Sequence, residues 1–193
     1  MELCLTHPLV HFEYPGWVNV VVNWEHSYAT DEERMRLAIA IARENVDREC
    51  GGPFGAVVVE RLSGRVVAVG MNAVVRMHNS VLHGEMVAFM MAQRRLRSYT
   101  LAASHLPVHE LITSCEPCAM CLGATLWSGV KRVVCGAARE DASRLKFEEG
   151  PVFPESWKYL EERGIACVRN VLREDARAVM ELYRAKRGAI YNA

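Results

Sequence analysis

Runs of β-branched residues alternate along this chain with segments that have the apolar periodicity of helices, and this alternation restricts the possible folds most strongly. Thr30-Asp31-Glu32-Glu33 has the spacing of a capping box, and the apolar residues after it recur at helical intervals. Leu62-Ser63-Gly64 separates two β-branched runs, which predicts a hairpin of adjacent antiparallel strands. The sequence predicts helices at about 31–48, 84–97, 118–128, 155–163 and 173–186, and strands at about 17–24, 54–60, 65–71, 111–114, 131–136 and 165–169. This order predicts an α/β fold with a partly parallel sheet.

The composition is that of one folded domain without a charged binding surface. The 193 residues fit a single domain, and 51% hydrophobic with 24% charged residues is far from the composition of disordered chains. Lys plus Arg and Asp plus Glu each number 23, so the net charge is zero and nucleic-acid binding is disfavoured. Residues 17–24 are too short to span a bilayer, and Met1-Glu2-Leu3-Cys4 lacks the features of a secretory signal. A cytoplasmic protein without membrane association is expected.

Three of the seven cysteines lie close together in the sequence. The full set is Cys4, Cys50, Cys115, Cys118, Cys121, Cys135 and Cys167. An odd number, with three members between 115 and 121, is poor spacing for a disulfide framework. Metal binding or thiol chemistry is therefore the better interpretation.

Two short motifs carry the residues for a metal site: His83-Gly84-Glu85, and Pro117-Cys118-Ala119-Met120-Cys121 further along the chain. Cys118 and Cys121 are three residues apart, so on a helix both sulfurs lie on one face and can bind Zn²⁺ together with a histidine. Two residues of a helix body at the spacing of His83 and Glu85 diverge, so these two meet only at a helix end. Both motifs coincide with predicted helix starts, where the helix dipole stabilises thiolates. The prediction is one Zn²⁺ per chain, bound by His83, Cys118 and Cys121, with one open position.

The open position and Glu85 together favour a hydrolytic reaction. Zinc lowers the pKa of a bound water towards roughly 7, which makes hydroxide available at neutral pH. Glu85 is not needed as a ligand, and we expect it to carry the proton of that water to a ring nitrogen and then to a leaving amine. Hydrolytic deamination is the reaction that this set of residues predicts.

Two other interpretations of the cysteine motif stay open at this point. Cys118 and Cys121 could belong to a structural zinc knuckle that a fourth ligand closes; the candidates are Cys115, His78, His105 and His109. They could also form a redox pair, although that interpretation gives no role to His83 and Glu85.

H-x-E followed by P-C-x-x-C is the signature of the zinc-dependent cytidine deaminase-like superfamily, which this chain resembles. Three further segments are similar to its bacterial guanine deaminase branch: Gly51-Gly52-Pro53-Phe54-Gly55-Ala56, Gly70-Met71-Asn72, and Thr113-Ser114-Cys115-Glu116-Pro117-Cys118-Ala119-Met120-Cys121-Leu122-Gly123-Ala124. The resemblance implies a three-layer α/β/α sandwich with a central mixed sheet. It also implies a single deaminase domain over 1–193, with an extension at 1–29, a core at 31–150 and a C-terminal segment at 151–193 that caps the site.

The resemblance further implies substrate contacts. Asn72 would hold a purine ring by hydrogen bonds from its amide, and Phe54 would form a wall of the pocket. An acid after the last core strand would bind the N1 and 2-amino edge of the purine. Glu149 matches that position better than Glu148, and we assign it to substrate binding and, with Glu85, to catalysis.

The C-terminal tail Ile190-Tyr191-Asn192-Ala193 resembles a segment that closes the pocket in this branch. Tyr191 would supply the closing aromatic ring, in some relatives from a swapped partner subunit. A homodimer is expected on the same ground.

The chain departs from the family pattern beside the metal histidine. The family usually has alanine where this chain has Gly84, and Leu82-His83-Gly84-Glu85 is similar to fungal-type cytosine deaminases. A permissive backbone at Gly84 and the bulk of Leu82 would reshape the pocket, so Gly84 joins the candidates for substrate binding.

Guanine, converted to xanthine and ammonia, is the substrate expected first. Cytosine or an aminotriazine such as ammeline is the next alternative, followed by adenosine in tRNA, which the neutral net charge disfavours. The alternative without catalysis is a zinc module that binds a partner protein.

Overall fold

The computed structural model describes residues 10–191. Residues 1–9, with the start of the extension and Cys4, and residues 192–193, with the end of the predicted closing tail, lie outside the described residues. The described residues form the helices α1 (Val18–Val21), α2 (Asp31–Asp47), α3 (Val74–Met77), α4 (Gly84–Leu96), α5 (Ala119–Ser128), α6 (Arg139–Arg144), α7 (Pro154–Glu162) and α8 (Arg173–Ala185). They form the strands β1 (Gly55–Glu60), β2 (Val66–Met71), β3 (His109–Cys115), β4 (Arg132–Ala137) and β5 (Ala166–Val168).

The five strands form one mixed sheet in the order β2-β1-β3-β4-β5. β1 is antiparallel to both β2 and β3, whereas β3, β4 and β5 run parallel. The predicted hairpin is therefore confirmed. The ends of β2 and β3 and the start of β1 lie side by side, since Gly55 pairs with Met71 and Ala56 with Thr113. We call this side of the sheet the carboxyl edge, because the parallel strands β3 and β4 also end there.

Helices cover both faces of the sheet. Successive strand residues point to opposite faces, so Val57 and Val59 pack in one core with residues of α2 and α8, while Ala56 and Val58 pack in a second core with residues of α4 and α5. The result is the three-layer α/β/α sandwich that the family resemblance implies.

The strand prediction for residues 17–24 is wrong, because this segment contains the single helical turn α1. Val18 and Val22 are buried whereas Val20 is 82% exposed, so burial recurs after four residues and not after two. The carbonyl of Pro15 accepts a hydrogen bond from the N–H of Val18 at 3.0 Å, which starts the turn. α1 packs against α2 and adds no strand to the sheet.

Other differences from the prediction are smaller. β3 is longer and β5 shorter than predicted, and α3 and α6 are not predicted because each is too short to show an apolar period. No helix within residues 10–191 has both the length and the apolar character that crossing a membrane requires.

A close contact between β2 and the first turn of α4 fixes where α4 begins. A Cβ at Gly70 would overlap the carbonyl oxygen of Gly84 and the backbone nitrogen of Ala88. Glycine at position 70 therefore allows α4 to lie directly on the sheet. The contact places the start of α4 at the carboxyl edge.

A buried charge network lies at the opposite edge of the sheet. The side chain of Glu110, at the start of β3, is 1% exposed and forms ion pairs with Arg132 at 2.8 Å, Arg61 at 3.2 Å and Arg34 at 3.3 Å. Arg132 also donates two hydrogen bonds to Asp31 at the start of α2, and these bonds lower the pKa of that carboxyl group. The network joins α2 to β3, to β4 and to the turn after β1, far from the carboxyl edge.

Glu110→Gln is expected to lower the free energy of unfolding by about 3 kcal/mol, because the buried guanidinium of Arg34 loses its counter-charge. Urea unfolding followed by circular dichroism measures the loss. Glu181→Gln is the matched control: Glu181 pairs with Arg184 at 2.6 Å in an exposed position, and its loss should change stability by less than about 1 kcal/mol. Equal losses in the two variants would contradict the stabilising role of the network.

Candidate active site

His83, Cys118 and Cys121 meet at the carboxyl edge. His83 is the N-cap of α4, Cys118 is the N-cap of α5, and Cys121 lies in the first turn of α5. Their ligand atoms all lie within 4.8 Å of one another. Both predicted helix starts thus bring their side chains to one point.

The geometry and chemistry of this cluster fit a zinc ion. His83 Nδ1 and Cys118 Sγ are 3.5 Å apart. Tetrahedral zinc with ordinary bond lengths would hold a nitrogen and a sulfur ligand about 3.6 Å apart, and one imidazole with two thiolates is a set that zinc prefers. Three protein ligands leave a fourth position for water or substrate, which is typical of catalytic zinc sites.

The residues that could have supplied a fourth ligand to a structural zinc site lie outside the cluster. Within residues 10–191 the group contains His83, Cys118 and Cys121, and not Cys115, His78, His105 or His109. The thiol of Cys115 faces the carbonyl oxygen of Ala138 at 3.8 Å. His109 is fully buried with Nδ1 3.0 Å from a backbone carbonyl. The arrangement argues against a four-ligand knuckle.

The two cysteines differ in acidity, and Cys118 is the one that favours the thiolate form. A hydrogen bond from the Cys121 thiol, supported by His83, lowers the pKa of the Cys118 thiol to about 4. The same hydrogen bond, together with burial, raises the pKa of Cys121 well above its usual value. Because Cys118 is the N-cap of α5, the free N–H groups of the helix start also favour its negative charge.

Glu85 lies in the first turn of α4, buried beside these ligands. Its Oε1 accepts a hydrogen bond from the hydroxyl of Thr113 at 3.3 Å. Burial raises the pKa of the Glu85 carboxyl, and the nearby negative charge of Cys118 raises it further. A carboxylate whose pKa is raised is a stronger proton acceptor than an exposed one, which suits a general base.

A small cavity lies next to the metal ligands. It is lined by Phe54, His83, Glu85, Cys115, Glu116, Cys118, Phe147, Glu149 and Tyr191. Its volume of about 20 Å³ admits about one water molecule and is too small for a purine. The sequence assigned no role to Phe147 or Glu116, although each adjoins a residue that it singled out.

Aromatic rings form one wall of the cavity. The ring of Phe147 lies 5.1 Å from that of Phe54, edge to face, and 5.0 Å from that of Tyr191. The hydroxyl of Tyr191 is buried without a hydrogen-bond partner among the described residues, and burial raises its pKa well above the usual value. Tyr191 is thus one of the residues that line the cavity.

The two adjacent acids after α6 differ in position. Glu149 lines the cavity, and burial raises the pKa of its carboxyl to about 8. Its backbone carbonyl accepts a hydrogen bond from Ala119 at 2.9 Å, which joins this loop to the start of α5. Glu148 is exposed and accepts a hydrogen bond from the N–H of Gly150 at 2.9 Å. The structure brings Glu149, and not Glu148, to the site.

Asn72 and Gly84 lie behind the cavity wall and do not line it. The N–H of Asn72 donates to the carbonyl of Phe54 at 3.0 Å, and its side-chain oxygen accepts from Gly52 at 3.4 Å and Val74 at 3.3 Å. Its side-chain nitrogen is buried and has no partner among the described residues. Gly84 has a helical backbone, and a Cβ there would lie 3.2 Å from the carbonyl oxygen of Phe54.

Leu82 does not shape the cavity. It is buried in a small separate cluster with Ala73 and Val87. Leu82, whose bulk was expected to reshape the pocket, therefore lies outside the cavity wall.

Comparison with known proteins relates this site to one family. The model of the cytidine and deoxycytidylate deaminase zinc-binding region matches residues 28–137. Guanine deaminase of Bacillus subtilis is 36% identical over 143 residues, which cover 74% of this chain and 87% of that protein. A structure described as guanine deaminase from Nitrosomonas europaea is 38% identical with a TM-score of 0.87, over 92% of this chain and 97% of that chain.

A structure of the protein NE0047 in complex with 2,6-diaminopurine is 40% identical with a TM-score of 0.88, over 94% of this chain and 96% of that chain. The zinc cluster, the buried glutamate beside it and these similarities agree. The chain belongs to the cytidine and deoxycytidylate deaminase zinc-binding family and is a zinc-dependent deaminase similar to guanine deaminases.

Proposed function

We propose that this protein hydrolyses free guanine to xanthine and ammonia. The observation that carries the proposal is the position of Glu85, buried beside three zinc ligands in one cavity with Glu149. Relatives described as guanine deaminases, and the 2,6-diaminopurine complex of NE0047, support a purine base as the substrate.

His83, Cys118 and Cys121 would hold the zinc ion. When bound, zinc supplies a Lewis acid that lowers the pKa of water at its open position. Glu85 would take one proton from the attacking water and deliver it to the ring nitrogen next to the amino group. It would then take the second proton from the hydroxyl group formed on the ring carbon and pass it to the amine as the carbon–nitrogen bond breaks. The hydroxyl of Thr113 holds one oxygen of Glu85 in place by a hydrogen bond.

The remaining walls would recognise and enclose the base. The carboxyl group of Glu149 would accept hydrogen bonds from the N1–H and 2-amino edge. Once the cavity has opened to admit the base, the side-chain N–H of Asn72 would donate to a ring acceptor. Phe54 and Phe147 supply apolar surface for the ring faces. Because the cavity is smaller than a purine, Tyr191 has to move when the base enters.

We propose that the core at 31–150 and the segment at 151–193 work as one domain. α8 packs against α2 and β4 of the core, and the chain after α8 carries Tyr191 to the cavity. Residues 1–29 are proposed as an extension, whose α1 packs on α2.

Ammonia release from guanine, cytosine, ammeline and adenine by the zinc-loaded protein tests the proposal. Guanine is expected to react fastest. Glu85→Gln should lower turnover at least about 10²-fold to 10⁴-fold, because it removes the proton carrier, while the zinc content stays unchanged. Full activity of Glu85→Gln would refute the mechanism. Release only from another base would keep the mechanism and replace guanine as the substrate.

In the same assay Glu149→Gln should raise the KM for guanine by about 10-fold to 100-fold, because a buried N–H donor of the base loses its acceptor. Glu148→Gln is the matched control on the neighbouring exposed residue and should leave KM unchanged. An equal effect in both variants would show that the loop, and not the carboxylate in the cavity wall, determines binding.

Zinc content tests the ligand set. The wild-type protein is expected to hold one zinc per chain, and X-ray absorption should show one nitrogen and two sulfur ligands. Cys121→Ser should lose most of the metal on dialysis. Cys115→Ser is the matched control, because Cys115 is equally buried in the cavity region but lies outside the ligand cluster. Loss of zinc from the control would place Cys115 among the ligands.

We propose that the protein forms a homodimer through α5. Met120, Gly123 and Trp127 lie on one side of this helix, Trp127 is 79% exposed, and the space beside Gly123 is open. Light scattering should give twice the mass of the 21.7 kDa chain, and Trp127→Lys should lower it towards a single chain. A wild-type mass of one chain would contradict the proposal.

A further inference from the structure

Asn45 is a buried polar residue with no role in the mechanism described above. It lies in the last turn of α2 and is 0% exposed. Its side-chain nitrogen donates two hydrogen bonds of 2.9 Å, one to the carbonyl of Gly52 and one to the carbonyl of Asn72. One amide thus joins α2 to the loop before β1 and to the residue after β2.

The contacts around Asn45 are closely packed. A Cβ at Gly51 would overlap the backbone oxygen of Asn72 and would lie 2.8 Å from the side-chain nitrogen of Asn45. A Cβ at Gly52 would overlap the hydroxyl of Tyr191. The loop therefore runs between Asn45 and Asn72 on one side and the ring that covers the cavity on the other. A displacement of this loop would change its contact with Tyr191 and thereby alter the cavity wall.

The orientation of the Asn72 amide follows from its partners. Two backbone N–H groups, of Gly52 and Val74, can only donate, so they fix the side-chain oxygen of Asn72 as the acceptor. The side-chain nitrogen is then the group left buried without a partner. A buried donor of this kind needs an acceptor, and a purine base would provide one once the cavity has opened as far as Asn72. Asn45 holds the backbone carbonyl of Asn72 by a hydrogen bond, and the Asn72 side chain keeps the orientation described.

We propose that Asn45 is a positioning residue for substrate binding: its amide holds Asn72 and the loop at Gly51 and Gly52 at the separation that the base requires. The proposal rests on the proposed function, in which Asn72 binds the purine ring. Without Asn45 two buried carbonyl groups lose their donor, and the loop and Asn72 are free to separate.

Asn45→Leu removes both hydrogen bonds with little change in size. Its KM for guanine should rise about tenfold or more, because misplacement of a binding group by a fraction of an ångström is costly. Its kcat should change much less, because the ring is held alike in the ground state and in the transition state. Zinc content should be unchanged. Leu37→Ala, a buried substitution earlier on α2, controls for lost stability and should leave KM unchanged.

A double-mutant cycle with Asn72→Ala keeps the test valid if Asn45→Leu is less stable. If Asn45 acts through Asn72, the double variant should have the KM of Asn72→Ala alone. Additive effects on KM, an unchanged KM in Asn45→Leu, or a KM rise in Leu37→Ala would overturn the inference. If the wild-type protein does not release ammonia from guanine, the proposed function fails first. The cycle is then measured as the affinity for 2,6-diaminopurine by calorimetry.

Discussion

The contact of α4 with β2 is the constraint on which the site depends. Gly70 has no side chain, so the backbone of Gly84 can lie against the sheet, and the N-cap His83 is held at the carboxyl edge. The start of α5 reaches the same place because the N–H of Ala119 is bound to the carbonyl of Glu149. The side chains of the two N-cap residues, His83 and Cys118, therefore come within 3.5 Å of each other. A side chain at Gly70 would prevent this by holding α4 away from the sheet.

This arrangement gathers negative charge in a buried place. Cys118, Glu85 and Glu149 border the same small cavity, and Cys121 lies with Cys118 in the ligand cluster beside it. Burial raises the pKa of both carboxyl groups. Helix starts contribute partial positive charge, but a divalent cation bound by two thiols and an imidazole is the larger compensation. The metal is thus part of the electrostatic balance of the site as well as of its chemistry.

The sequence predicted the parts of the structure that depend on local pattern. The pairing of Cys118 with Cys121 and the starts of α4 and α5 follow from residue spacing, because helix geometry places residues three apart on one face. The approach of His83 to these cysteines depends on the packing of α4 on the sheet. The helical turn at Val18–Val21 was missed, since its valines resemble a strand until their burial is known. Phe147 and Asn45 were missed for another reason: each acts through residues distant in the chain, and neither belongs to a motif. Sequence resemblance named Asn72, but only the structure shows which atom of its amide is without a partner.

The buried arginine and glutamate network lies at the edge of the sheet opposite to the site. Effects of substitutions at well-separated places on stability are usually additive. The loops that enclose the base can therefore change in sequence without weakening the ion pairs that hold α2 to the strands. The sheet therefore separates the two tasks. Substitutions at the carboxyl edge can change which base is preferred, while the ion pairs at the opposite edge preserve the fold.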